Sequence, residues 1–69
     1  MKLLDVVALT EDMPERQLRR GQVGTIVEVL ATDTYEVEFA DLDGRTYATL
    51  AVPGRSLLIL HHHPANMAA

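Results

Sequence analysis

Residues 35–39 read Tyr-Glu-Val-Glu-Phe and residues 41–44 read Asp-Leu-Asp-Gly. In the first stretch, large apolar and acidic side chains alternate with a period of two, the pattern of a β-strand with one buried and one wet face. In the second, Asp-Gly supplies the positive φ of a tight hairpin turn. A strand running straight into such a turn returns antiparallel to itself. Residues 45–52, Arg-Thr-Tyr-Ala-Thr-Leu-Ala-Val, have the β-branched and aromatic content to form the returning strand. This hairpin sets the fold class as all-β, and the rest of the chain reads outward from it.

Upstream, Thr25 to Leu30 is rich in β-branched residues and predicts a strand joined to the hairpin by a short polar turn at Ala31 to Thr34. Gly21 and Gly24 bracket Gln22 and Val23 at its start, marking a turn or bulge. A first strand is predicted over Leu3 to Leu9, interrupted only by Asp5. Between these two strands, Thr10 to Arg20 is polar, contains Pro14 and is too long for a hairpin turn. Asp12 and Glu15 have the spacing of a capping box, which predicts one helical turn over Met13 to Gln17.

Downstream, Pro53 cannot donate to a central ladder and, with Gly54, ends the fourth strand. A short 3₁₀ turn around Gly54 to Ser56 leads into a last strand at Leu57 to Leu60. Residues 61–69 lose the alternation and read as a flexible C-terminal tail, leaving residues 1–60 as one domain. Short strands without an amphipathic helix, one long first loop and a 3₁₀ turn before the last strand are similar to the small five-stranded SH3-like barrel. The core candidates are Val7, Leu9, Leu18, Val23, Ile26, Val29, Tyr35, Val37, Phe39, Leu50, Val52, Leu58 and Leu60.

Composition narrows the function. With 69 residues, 48% hydrophobic and 23% charged, the chain is an ordinary globular domain with a small core. It has no cysteine, which removes disulfides, thiolate metal sites and cysteine nucleophiles. No signal-like or membrane-spanning run is present, so the expected location is the cytoplasm and no membrane partner is expected. Ten acidic against six basic residues give a net charge of −4, which argues against nucleic acid as the partner.

Two groups of charged residues are the candidate sites. Glu11, Asp12 and Glu15, followed by Arg16, Arg19 and Arg20, place a mixed-charge patch on the long loop. Guanidinium is suited to forked contacts with carboxylate or phosphate, and the net negative charge favours an acidic protein over RNA as its ligand. An acidic loop at this place in an SH3 domain recognises arginine in proline-rich ligands. An aromatic content of 4% and the absence of tryptophan leave no aromatic groove for that mode. Glu36 and Glu38 share a strand face and Glu28 joins them from the neighbouring strand, an acidic surface suited to a basic partner.

No catalytic constellation is found. The only histidines, His61 to His63, are consecutive in the tail, where neighbouring side chains of an extended segment diverge and cannot readily share a metal. Neither a metal site nor a cofactor is expected, and the chain reads as a non-enzymatic module for one protein partner. Self-association through an uncovered strand edge or the apolar residues near Ile59 is a further expectation.

Two family resemblances add to this reading. Leu18, Gly21, Gly24, Ile26 and Val29 resemble the KOW motif of ribosomal proteins and transcription elongation factors. The resemblance implies glycines that shape a turn, apolar residues that enter a barrel, and RNA or ribosome association as the alternative function. Through LLDVVALTEDMPE, LRRGQVGTIVEVL, YEVEF and DGRTYA, the chain also resembles a family of short bacterial proteins labelled domain of unknown function 4926. That resemblance implies a small partner of another gene product, in an accessory or toxin-neutralising role.

Overall fold

The computed structural model describes residues 1–65. It contains β1 (Val6–Leu9), β2 (Val23–Ala31), β3 (Thr34–Ala40), β4 (Thr46–Pro53) and β5 (Leu57–Ile59), with 3₁₀ turns at Pro14–Arg16 and Gly54–Ser56. The strands form one antiparallel sheet in the order β4-β3-β2-β1-β5. The domain is therefore all-β. Strands β4 and β5 are the two edges and share no hydrogen-bonded register, so the sheet is open between them rather than closed into a barrel. Among the described residues, no helix is long and apolar enough to cross a membrane.

A single sheet with an apolar face has nothing to bury that face against except itself. One cluster collects Val7 and Leu9 of β1, Ile26 of β2, Tyr35, Val37 and Phe39 of β3, Leu50 and Val52 of β4 and Leu57 of β5. Residues of both edge strands join this one cluster, so the sheet coils around it. Leu18, from the long loop, caps the cluster and is itself buried.

Gly24 permits close packing between β2 and β3. It lies between Val7 and Phe39 in register, and a Cβ there would sit 2.6 Å from Val37 Cγ1 and 2.9 Å from Phe39 Cδ1. Only a residue without a side chain leaves room there for Val37 and Phe39.

The alternation in β3 is reproduced residue for residue, with Tyr35, Val37 and Phe39 buried and Glu36 and Glu38 half-exposed. The turn after it is also as expected. Asp41 Oδ1 accepts from Asp43 N at 2.9 Å and Arg45 N at 3.0 Å, and Gly44 takes φ +83°. Pro53 ends β4, where an edge strand tolerates its missing donor.

Several expectations are corrected. The first strand is only Val6–Leu9, because Leu4 adopts φ +69° and bends the chain out of the ladder. The capping box does not form. The residue before the 3₁₀ turn is Met13, which makes no side-chain cap, and Asp12 instead accepts from Arg20 N at 2.8 Å.

Val23 and Leu58 are not core residues. Both stand opposite Ala8 on the outward face, at 45% and 57% exposure, while Leu57 takes the core position. Val29 is also not buried: it pairs with the core residue Tyr35, between two register shifts of β2 at Ile26/Glu28 and Val29/Ala31, yet is 50% exposed. Leu60 lies beyond β5 and is only partly covered. Of the expected tail, residues 61–65 form neither strand nor helix and are exposed, and residues 66–69 lie outside the described residues.

Candidate functional site

The connection from β1 to β2 folds back on itself as a small hairpin. Met13 N donates to Leu18 O at 2.8 Å and Leu18 N to Met13 O at 3.1 Å, closing a bridge around the turn at Pro14–Arg16. Pro14 starts that turn, and Gln17 ends it in the left-handed region with φ +58°. Leu18 then drops into the core and fixes the hairpin to the sheet.

Further contacts tie the base of the loop. Gly21, at φ +93°, donates its N–H to Leu9 O at 2.8 Å, and Leu9 N donates to Gln22 O at 3.0 Å. The Gln22 side chain both accepts from Arg19 N at 2.6 Å and donates to the Tyr47 hydroxyl at 2.9 Å, linking the loop to β4. On the other side, Thr10 N donates to Ser56 O at 3.0 Å, and the Ser56 hydroxyl donates to Glu11 Oε2 at 2.7 Å. Ser56 is buried and its hydroxyl is satisfied by Glu11 alone.

The result is an open hollow of about 600 Å³ lined by Asp12, Pro14, Gln17, Leu18, Arg19 and Arg20. Its lining combines the apolar surfaces of Leu18 and Pro14 with two guanidinium-bearing side chains. Among the described residues the only ion pair is Lys2 with Asp5, so neither Arg19 nor Arg20 is ion-paired among them. Of the loop residues singled out in the sequence, Asp12, Arg19 and Arg20 meet at the hollow. Glu11 is turned to Ser56, while Glu15 and Arg16 stay on the exposed 3₁₀ turn and do not line this hollow.

The acidic group is assembled on the opposite sign of surface. Glu28 of β2 stands directly across from Glu36 of β3, and Glu38 follows between Thr25 and Thr49. These three carboxylates point away from the core, since Tyr35, Val37 and Phe39 occupy the inward positions. The described residues hold no group of three or more histidine, cysteine or acidic side chains arranged to bind a metal.

The sequence carried no sign of the Ser56 to Glu11 and Gln22 to Tyr47 contacts, because each joins residues far apart in the chain. The outward apolar row around Ala8 was missed because Leu57 to Leu60 is apolar at both parities, so nothing in the pattern decided which pair faces in.

Compared with known families, residues 3–59 match the family model described as Domain of unknown function (DUF4926). The chain belongs to the DUF4926 family. The match runs from before β1 to the end of β5, so it takes in the loop hollow and the acidic face of this DUF4926 chain and stops short of the histidines. Searches of curated proteins and of solved structures returned no match.

Proposed function

We propose that this DUF4926 chain is a non-enzymatic binding module that takes an acidic segment of one cytoplasmic protein partner in the hollow of its β1–β2 loop. The observation that carries this reading is the pairing of Arg19 and Arg20 with an apolar floor of Leu18 and Pro14, with neither arginine in an ion pair among the described residues. Arginine can grip a carboxylate with two parallel donors, and the apolar floor takes the stem of the same segment. Asp12 is bonded to the backbone of Arg20, which leaves the guanidinium group free for a ligand. An accessory or toxin-neutralising role accords with a small chain built around one docking loop. The strand order and the 3₁₀ turn before β5 support an SH3-like reading of the coiled sheet.

A second reading, a KOW-like RNA- or ribosome-associated protein, is favoured by the same arginines and by Gly21 and Gly24. Gly21 takes positive φ at the turn, and Gly24 lies under the core side chains. Affinity capture from native lysate, with and without nuclease, separates the two readings. A single stoichiometric protein that survives nuclease and is lost with Arg19→Glu/Arg20→Glu supports the module. Material lost on nuclease treatment, with steeply salt-dependent binding, supports RNA instead. Capture of the same protein by the double variant at unchanged affinity overturns the loop as the docking site.

A further inference from the structure

The outward face of the sheet carries an apolar row that no described element covers. Ala8 pairs in register with Val23 on one side and Leu58 on the other, and both flanking side chains are exposed. Ala8 itself is only 8% exposed, so it forms the floor of a recess walled by Val23 and Leu58. Two residues earlier on β1, the Val6 carbonyl accepts from Leu60 N at 2.8 Å, which adds Val6 and Leu60 to the row.

The same face becomes acidic as it crosses the sheet. Val6 stands opposite Thr25, and Thr25 opposite Glu38. Beside Glu38, Glu36 stands opposite Glu28. Two carboxylates placed directly across a strand pair repel each other. Among the described residues no cationic side chain lies within ion-pair reach of Glu28, Glu36 or Glu38.

We propose that this face docks a cationic amphipathic helix of a partner protein, with an apolar side chain over Ala8 and lysine or arginine over Glu36 and Glu38. Strands β1 and β3 lie two interstrand spacings apart, about 10 Å, and Glu38 is in line with Val6, two residues along from Ala8, so Glu38 is about 12 Å and Glu36 about 17 Å from Ala8 on the diagonal. Two to three turns of helix span about 11–16 Å, so a helix laid obliquely across the strands presents an apolar residue to Ala8 and cations to Glu38 and Glu36. A cation seated there also relieves the repulsion between Glu28 and Glu36. A second copy of this chain is the poorer occupant, because it brings its own carboxylates to a face that already lacks counter-charge. The face is separate from the loop hollow, and the proposal stands whatever binds there.

The test is titration of the isotopically labelled full chain with a synthetic leucine–lysine amphipathic helix of about 14 residues, roughly 20 Å long. A control peptide carries serine in place of leucine. Amide shifts are expected at Val6, Ala8, Val23, Glu36, Glu38 and Leu58. Affinity is expected to fall roughly tenfold with Leu58→Ser and again with Glu36→Gln/Glu38→Gln. These substitutions change outward side chains, and an otherwise unchanged amide spectrum confirms that each variant is folded. Equal binding of the serine peptide, unchanged affinity of either variant, or shifts confined to residues 12–20 overturns the proposal. Concentration-dependent shifts of the same face without peptide overturn it in favour of a second copy.

Discussion

Ser56 and Glu11 are separated by 45 positions in sequence, yet the serine hydroxyl donates to the Glu11 carboxylate at 2.7 Å. The bond fastens the first residues of the β1–β2 loop to the 3₁₀ turn that launches β5. It also satisfies a hydroxyl that is buried to 2% exposure. Ser56→Ala removes the donor and leaves Glu11 able to turn to water. The expected loss is about 1.5–3 kcal/mol of stability, the range for a hydrogen bond to a charged group, measured by urea unfolding. If the hollow depends on this clasp, partner affinity falls in the same variant. Unchanged stability would mean that the Ser56–Glu11 bond contributes nothing net to the fold.

The site of Gly24 is closed to any side chain. A methyl group there meets Val37 and Phe39 well inside contact distance, so Gly24→Ala is expected to cost about 1–3 kcal/mol by overpacking. Phe39→Ala, which opens a cavity at the same place, is expected to cost about 3–5 kcal/mol. For a domain of this size, that approaches the whole stability. Thermal unfolding of the two variants compares the opposite errors at one point in the core.

The exposed arginines are expected to behave differently. Among the described residues Arg19 and Arg20 make no ion pair, and their hydrogen bonds to Gln22 and Asp12 come from the backbone. Arg19→Glu/Arg20→Glu should therefore shift stability by less than about 0.5 kcal/mol, while Leu18→Ala directly beneath them should cost about 2–5 kcal/mol. Denaturation midpoints of the two variants separate a docking role from a structural one. A large loss in the arginine variant would place these side chains in the fold.

Acid is expected to loosen the N-terminal turn. The backbone N–H of Lys2 donates to Asp5 Oδ2 at 2.9 Å, and its ammonium lies 3.0 Å from Oδ1. Together, the backbone bond first, they hold the Asp5 carboxyl below its ordinary value of 3.8. A folded-state value lower than the unfolded one stabilises the fold above the ordinary value. That contribution is lost as pH falls through the folded value. Unfolding of the wild type and of Asp5→Asn across this acid range should converge, with the wild type losing more. Parallel curves would remove the Asp5 contribution.

Much of the fold was legible because β3 and its turn obey local rules. Tyr35, Val37 and Phe39 leave one choice of buried face, and Asp41 to Gly44 leaves one kind of turn. Where the local signal was ambiguous, the reading slipped. Leu57 and Leu58 are equally apolar, and only pairing with Leu9 and Ala8 decides that Leu57 faces in. Asp12 and Glu15 have capping spacing, but the backbone of Arg20 claimed the Asp12 carboxylate first. Of the loop charges, sequence could group Asp12, Arg19 and Arg20 but could not separate them from Glu11, Glu15 and Arg16. The division rests on which side chains face the hollow.

The amino-acid sequence by itself determined the all-β class, the strand count, the positions of the turns and the two charged groups. Each of these follows from side-chain period, backbone preference or ionisation within a few residues. The tertiary structure decided that the sheet stays open between β4 and β5, and that Val23 and Leu58 form an outward row around Ala8. It also decided that Ser56 clasps Glu11. These depend on register and coiling, which are set by how all the strands share one core, and no local stretch of chain carries that information.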